Sequence, residues 1–581
     1  MGVDSLIRER VKTWTEDPYF DEATRQEILS ITDEQELAER FCCNLEFGTA
    51  GIRGILGAGT NRLNIYIIRK VIQGLADTIK DYGEEACQRG VVIAYDCRRY
   101  SIEFAREAAL VLAANGIKAY LFDKLRPTPE LSFAIRYLKT MAGIMITASH
   151  NPKNYNGCKV YWEDGAQLPP KQSDEILVKM EQKAGWRVET MGEELAREKG
   201  LLVMVGAEVD EEYLKAVKKE LLNTSLTKEK GADLKLVFTP LHGTGYDLVP
   251  KLLREIGFSA LTLVPEQQEP DGEFPTAPIP NPEDESAFEI ALKYGLEQQA
   301  QLIIATDPDA DRMGVLVRDH LGDYRKLTGN QIGIIMIYYL LSQRKAKGIL
   351  PRDGVVIKNI VSSELADEIA FGFDVKLINV LVGFKYIGEQ IKGMEESGRG
   401  TFLFGFEESH GYLAGTYARD KDAILGSALF AEAALYYLRE KQQDLFAVLE
   451  EIYQRFGYYL DGQIAMSFDG LEGKKKMEEM MAKLRQGSYT ELGGLALKEI
   501  EDYLAGQGKN VLDGSIYPLG LPQANLLRFA FQGGGYIMAR PSGTEPKIRF
   551  YFCIKGEQGE NLTDKLKTVQ ENFLSILGLN R

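Results

Sequence analysis

Ile65, Ile68, Ile72, Leu75 and Ile79 keep the three-to-four spacing of one helix face, which predicts a single amphipathic helix. The pattern then changes. Val91-Val92-Ile93-Ala94-Tyr95 is a short unbroken apolar run, as expected of a strand buried on both faces. A helical stretch over about 102–115 follows, then apolar runs at Ala119–Phe122 and Gly143–Thr147. The rhythm restarts at Leu234–Phe238 and again at Gly354–Ile357. Strands alternating with helices predict parallel sheets joined by right-handed crossovers. Three such blocks predict a repeated α/β domain, although no strict sequence repeat accompanies them. Residues 1–40 are charged and helical in pattern, with Ile7, Val11 and Trp14 at helical spacing, and form an N-terminal extension. Residues 265–282 are proline-rich and predict a long loop. From about 460 the pattern becomes α+β, with a Gly533-Gly534-Gly535 turn between β-type runs and a helix near 562–577.

Length and composition narrow the class. A chain of 581 residues is too long for one core, and domains of about 100–200 residues are expected. The net charge of −16 argues against nucleic acid or an anionic membrane as partner, because no excess of cations is available to release counterions. A small phosphorylated ligand feels only local charge and is not excluded. The six cysteines form no CxxC pair and no metal spacing with histidine, the usage of a reduced cytoplasmic protein. The N-terminus has no apolar signal core, Leu6 stands where myristoylation needs Ser or Thr, and no apolar run is long enough to span a bilayer.

Five unusual loops each follow an apolar run, and in open α/β sheets ligands bind beyond the carboxyl ends of the strands. They begin near Ser149, His242, Asp307, Gly405 and Arg540. Asp307-Pro308-Asp309-Ala310-Asp311-Arg312 sets three carboxylates at alternate positions. Left unpaired they would repel, so a cation is the natural counter-charge. An EF-hand is ruled out by Arg312 and Arg318 at the positions that need Gly and Glu. Few protein oxygens with room for a phosphoryl oxygen suit Mg²⁺. The alternative is a solvated acidic turn. Arg540-Pro541-Ser542-Gly543-Thr544-Glu545-Pro546-Lys547-Ile548-Arg549 brackets a Ser-Gly-Thr turn with cations. It reads as a phosphate cradle, or else as a basic hairpin tip. Gly405-Phe406-Glu407-Glu408-Ser409-His410-Gly411-Tyr412 offers carboxylates and hydroxyls that suit sugar hydroxyls, and equally a surface turn. No GxxxxGK[ST] loop is present, so a P-loop nucleotide site is not supported.

Ser149 has three readings. As a hydrolase nucleophile it lacks a GxSxG elbow, and in an extended segment His150 would point to the opposite side. As a turn residue, Ser-His-Asn-Pro only bonds its own backbone. Beside a metal loop and a separate phosphate cradle, it suggests a phosphoserine that completes the metal's oxygens. Lys159 would then serve as proton acceptor or donor for a sugar hydroxyl.

Together these residues resemble the α-D-phosphohexomutase family. Thr147–Pro152 is similar to its active-site serine loop, Asp307–Arg312 to its metal loop, Gly405–Ser409 to its sugar loop and Arg540–Pro546 to its phosphate loop. Phe47–Gly54 resembles the opening motif, whose arginine is here Arg53, and Val382–Lys385 a further substrate-contacting segment. Pro308, Ala310 and Phe406 replace common glycines. With the long chain and N-terminal extension, they resemble the larger branch of bacterial α-phosphoglucomutases and phosphopentomutases.

The resemblance implies an α/β fold: three similar α/β domains with mixed sheets plus a C-terminal α+β domain around a central active-site cleft. The expected divisions are an extension over 1–40 and domains over 41–208, 209–322, 323–458 and 459–581. It implies catalytic roles for Ser149, Lys159, Arg53, His150 and Arg312, and Mg²⁺ held by Asp307, Asp309, Asp311 and Ser149. It implies substrate contacts from Lys385, Glu407, Ser409, His410, Arg540, Ser542, Gly543, Thr544 and Arg549. The expected activity is a cytoplasmic phosphoglucomutase, a monomer or homodimer, with glucose 1,6-bisphosphate as intermediate and activator. Phosphomannomutase and phosphopentomutase share the mechanism. A non-catalytic phosphosugar-binding protein and a metal-dependent phosphatase are the alternatives of other classes.

Overall fold

Val91–Tyr95 lies inside a six-stranded sheet. Its order is Gly51–Ile55, Tyr155–Trp162, Ala142–Ile146, Val91–Tyr95, Ala119–Phe122 and Leu202–Val205. The computed structural model describes residues 3–48, 51–182, 185–468, 470–542 and 547–579. They group into two bodies: residues 1–327 with 388–398 and 410–441, and residues 328–387 with 399–409 and 442–581.

In the first body the predicted helix is Ile65–Asp81, started by the Asn64 side chain accepting the Ile67 N–H. Its stripe of Ile68, Ile72, Leu75 and Ile79 is fully buried. Val91–Tyr95 pairs in parallel with both neighbours, and the sheet as a whole is mixed, as the resemblance implied. Tyr155–Trp162 runs antiparallel to Ala142–Ile146 and to Gly51–Ile55. The reason is connection length: a parallel crossover needs a dozen or more residues, and the serine loop is shorter. The second sheet repeats the device. Leu302–Thr306 is parallel to Leu236–Thr239 but antiparallel to Met313–Arg318, across the aspartate loop. Both candidate loops are therefore hairpin turns at the end of an α/β block. The N-terminal extension is three helices, Val3–Glu16, Glu22–Ser30 and Glu34–Phe41. Trp14 is fully buried, stacked on Phe20 with ring centroids 4.4 Å apart and edge-on to Phe41 and Tyr66. The extension is thus packed onto the first block.

In the second body Gly354–Asn359 lies between Lys376–Val380 and Thr401–Glu407, all parallel. The last strand runs past the Phe404 expected as its end. Phe406 and Glu407 are buried, and a Cβ on Gly405 would come within 2.9 Å of Ile387. The C-terminal block is an antiparallel sheet built on Tyr458–Ser467, Lys547–Gly556, Gly535–Pro541 and Leu527–Phe531. Helix Leu562–Leu577 covers it, Phe573 meeting Phe550 and Phe552. Among the described residues no helix is long and apolar enough to cross a membrane.

Candidate active site

The strand Ala142–Ile146 delivers Thr147-Ala148-Ser149 to the hairpin turn. Ser149 is buried and takes φ 51°, a left-handed conformation that costs a non-glycine residue about 1 kcal/mol or more and persists only when neighbours fix it. Here they do. The Ser149 N–H donates to Thr147 Oγ1 at 2.8 Å, and Thr147 Oγ1 donates to Asp96 Oδ2 at 2.6 Å. Asp96 Oδ1 accepts from Ser101 Oγ and from the Arg98 N–H. The buried Arg98 guanidinium pairs with Asp96 at 3.3 Å and donates to four carbonyls of the turn, those of Ser149, Asn151, Pro152 and Tyr155.

The proline-rich loop braces this arginine. Phe274, buried and also left-handed, sits 5.0 Å from the Arg98 guanidinium, a cation–π contact. A Cβ on Gly272 would lie 2.6 Å from the Cys97 carbonyl oxygen, so only glycine allows the approach. Glu273 pairs with Arg99, in the loop that carries Arg98, and with Lys153, in the serine loop.

Because Ser149 is left-handed, the extended geometry expected around it does not hold. His150 is not turned away: its Nδ1 lies 3.3 Å from Ser149 Oγ. The hydroxyl donates instead to Asp307 Oδ2 at 2.7 Å. The candidate nucleophile rests directly on the aspartate loop.

All three aspartates are buried, and one carboxylate oxygen of each lies within 4.8 Å of the others. Asp307 Oδ1 accepts the backbone N–H groups of Asp311 and Arg312, each at 3.0 Å. Asp309 Oδ2 accepts from Thr128 Oγ1 at 2.8 Å and from Lys159 at 2.6 Å. Asp311 Oδ2 pairs with Lys159 at 3.3 Å and with Lys421 at 3.2 Å. Ala310 takes φ 49°, the conformation a glycine would adopt freely.

Charge and burial pull the carboxylates apart. Burial, with the Asp309 and Asp311 charges added, pushes Asp307 well above the usual carboxylate range. Burial would raise Asp311 too, but Lys421, Lys159 and Arg312 outweigh it and hold Asp311 below that range. Burial would likewise lower Lys159, yet Asp309 and Asp311 raise it, so it stays protonated. Among the described residues, Asp309 Oδ1 and Asp311 Oδ1 are buried with no hydrogen-bond partner, Asp311 Oδ1 having only the Arg312 guanidinium at 3.8 Å, a costly state in the absence of a cation. These oxygens, with an all-carboxylate donor set, fit a hard divalent metal ion.

The other expected residues divide between the bodies. In the first, Arg53 donates to Asn151 Oδ1 at 3.0 Å and Arg312 pairs with Glu283 at 2.5 Å. His410 is buried with Nδ1 3.2 Å from the Met313 carbonyl, and burial pushes its pKa down to about 4. In the second, Glu407 Oε1 accepts from the Gly383 N–H at 2.8 Å and from Asn359 at 3.2 Å. Ser409 and Lys385 are half-buried, with Lys385 Nζ 5.0 Å from the Tyr386 ring. Arg540 and Arg549 face each other across neighbouring antiparallel strands. Like charges so placed repel, and an anion between them removes the conflict. The Ser542 N–H donates to the Lys547 carbonyl at 2.7 Å, closing the base of that hairpin. Gly543 and Thr544 lie outside the described residues.

Sequence reasoning passed over Asp96, Arg98, Thr128, Phe274 and Lys421. Asp96 and Arg98 begin the loop after Val91–Tyr95, so the strand-end rule that found the other loops applies to them. Lys421 sits in the dense charge run Arg419-Asp420-Lys421-Asp422. Its ammonium also pairs with Asp420, whose other oxygen accepts from Tyr161 and Gln167.

The chain has counterparts among known proteins. Models of phosphoglucomutase/phosphomannomutase α/β/α domains I, II and III match residues 44–185, 211–322 and 328–456. A phosphoglucomutase of Staphylococcus saprophyticus is 40% identical over 557 residues, covering 95% of this chain and 98% of that protein. One from Staphylococcus aureus strain MSSA476 is 38% identical over 545 residues, covering 92% and 94%. Two solved structures share the fold. The Paramecium phosphoprotein pp63/parafusin, a phosphoglucomutase, has a TM-score of 0.68 at 18% identity, covering 92% of this chain and 95% of that one. A phosphoglucomutase/phosphomannomutase family protein from Burkholderia thailandensis has a TM-score of 0.65 at 18% identity, covering 91% and 96%. With three domain models matched in order along the chain and this identity over nearly its whole length, the chain belongs to the phosphoglucomutase/phosphomannomutase family, the α-D-phosphohexomutases.

Proposed function

We propose that the protein is a phosphoglucomutase that interconverts glucose 1-phosphate and glucose 6-phosphate through a phosphorylated Ser149. The observation that carries this reading is the 2.7 Å hydrogen bond from Ser149 Oγ to Asp307, which seats a braced serine on a buried three-carboxylate cation site. The relatives named phosphoglucomutase support the choice of sugar.

Phospho-Ser149 donates its phosphoryl group to one hydroxyl of the sugar monophosphate. The resulting glucose 1,6-bisphosphate turns over and returns its other phosphate to Ser149, and the same bisphosphate primes the dephosphorylated protein. Asp307, Asp309, Asp311 and the seryl phosphate would hold Mg²⁺, which would supply charge neutralisation at the transferring group. Arg98 and Asp96 keep Ser149 in its turn. Lys159, which Asp309 and Asp311 keep protonated, serves as proton donor to the sugar oxygen when the phosphate returns to Ser149, with Arg53, His150 and Arg312 as the further polar groups around the serine. Glu407, Ser409, His410 and Lys385 read the sugar. Arg540, Arg549, Ser542, Gly543 and Thr544 hold the phosphate that is not transferred. Such a cradle accepts the sugar in both orientations, so it reads phosphate more strictly than ring. The extension 1–40 and domains over 41–208, 209–322, 323–458 and 459–581 are the proposed divisions. The protein is proposed to work in the cytoplasm as a monomer or homodimer.

The test compares rates on glucose 1-phosphate, mannose 1-phosphate and ribose 1-phosphate with Mg²⁺ and the matching bisphosphate, beside intact mass of the phosphoprotein. Preference for glucose, and loss of both activity and phosphorylation in Ser149→Ala, is the expected result. Preference for ribose would reassign the substrate and keep the chemistry. Full activity in Ser149→Ala would sink the phosphoserine mechanism.

A further inference from the structure

Cys42 and Cys43 take no part in the mutase chemistry. They are adjacent and both exposed, at the end of helix Glu34–Phe41, whereas Cys158 and Cys553 are buried and Cys87 and Cys97 partly so. Their Sγ atoms lie 3.6 Å apart. The backbone is pinned on both sides: the Cys42 N–H donates to the Ala38 carbonyl at 2.8 Å, and the Cys43 carbonyl accepts from Thr60 Oγ1 at 2.5 Å. The Leu45 N–H then donates to the Thr60 carbonyl at 2.8 Å. The loop backbone is therefore fixed, Cys42 Sγ also lies 3.5 Å from the Glu39 carbonyl, and the thiols stand side by side as a preorganised pair.

The spacing selects what can join them. A direct disulfide wants Cα atoms about 4.4–6.8 Å apart, and neighbours across a trans peptide are about 3.8 Å apart, so that bond would be strained. An atom with bonds of about 2.3 Å to sulfur spans 3.6 Å at an S–X–S angle of about 103°, close to tetrahedral. Partial burial, then the neighbouring Cys42, pushes the Cys43 thiol up to about 11. It is a neutral thiol near pH 7, slow towards alkylation but open to condensations that remove thiol protons as water.

We propose that Cys42 and Cys43 form a two-thiol chelating site for a thiophilic trivalent metalloid of the type R–As=O. Two S–H bonds break and two S–As bonds form. The arsenyl oxygen leaves with both protons as water, and no electrons are transferred. The site is independent of the mutase reading.

The probe is phenylarsine oxide on the full-length protein, followed by intact mass and competition with a small dithiol. One phenylarsenic per chain is expected, removed by the dithiol and not by an equal concentration of monothiol. Cys42→Ser and Cys43→Ser should each weaken retention about 100-fold, the advantage of a second intramolecular bond. Both side chains are exposed, so unchanged mutase activity of the variants reports an intact fold. Absence of an adduct in the wild-type protein, or equal retention in either serine variant, overturns the site.

Discussion

Thr128 offers a sharp test of how the aspartate loop is set for its cation. It is fully buried, and its Oγ1 donates to Asp309 Oδ2 at 2.8 Å. Its backbone N–H donates separately to the Asp309 carbonyl at 2.9 Å. Thr128→Val keeps the shape and the backbone bond and deletes only the hydroxyl. A hydrogen bond to a charged group contributes about 1.5–3 kcal/mol. Lys159 still holds the same oxygen at 2.6 Å, so the loss should fall in the lower half of that range. The carboxylate is then free to turn its unpartnered Oδ1 away from the cation position. At about 1.4 kcal/mol per tenfold, metal affinity should drop roughly 10–50-fold, within the range known for residues that orient metal ligands. The assay is mutase rate against Mg²⁺ concentration at saturating substrate. Half-saturation should rise by that factor, with the maximal rate largely recovered at high Mg²⁺. An unchanged half-saturation, or a collapsed maximal rate at the original half-saturation, would refute the assignment of Thr128 as an orienting residue.

Three further outcomes follow from the same framework. Arg98→Lys replaces a fork that serves four carbonyls with a single ammonium; at about 1–3 kcal/mol for each buried group left unpaired, urea unfolding should register a loss of at least about 2 kcal/mol, and kcat should fall more than KM changes. Gly243→Ala would place a Cβ 2.4 Å from Pro308 Cα, so the aspartate loop must move, and both stability and Mg²⁺ half-saturation should worsen. His410 has its pKa lowered from 6.5 to about 4 by burial; the unfolded chain binds the extra proton first, so this contribution is whole above pH 6.5 and is lost as pH falls towards 4, by about 3 kcal/mol. His410→Asn, which tolerates the left-handed backbone, should flatten that acid loss in thermal melts, and an unchanged acid limb would contradict it.

The legible part of the sequence was whatever its periodicity records. The stripe of Ile68, Ile72, Leu75 and Ile79 and the run Val91–Tyr95 became a buried helix face and a buried strand. The loops at Ser149 and Asp307 stood out because polar residues broke an apolar run at a strand end. Pairing direction was not legible in apolar runs, since parallel and antiparallel buried strands look alike; only the short connections distinguish them. The position of His150 was misjudged because a left-handed serine cannot be read from Ser-His-Asn-Pro. Arg98 and Lys421 were missed because a cation in a charged stretch looks solvated, and their burial arises only when distant segments close over them.

The pairing of Lys159 and Lys421 with the aspartates bears on maturation and ion choice. The polypeptide supplies much of its own counter-charge, so the loop can fold before any ion arrives, and loading fills the two unpartnered oxygens rather than driving folding. Chelation should silence such a protein without unfolding it. The same ammoniums set a threshold: with their charge already offsetting the aspartates, a monovalent ion gains little by entering. A divalent ion gains more, which makes the lysines a built-in filter against monovalent cations.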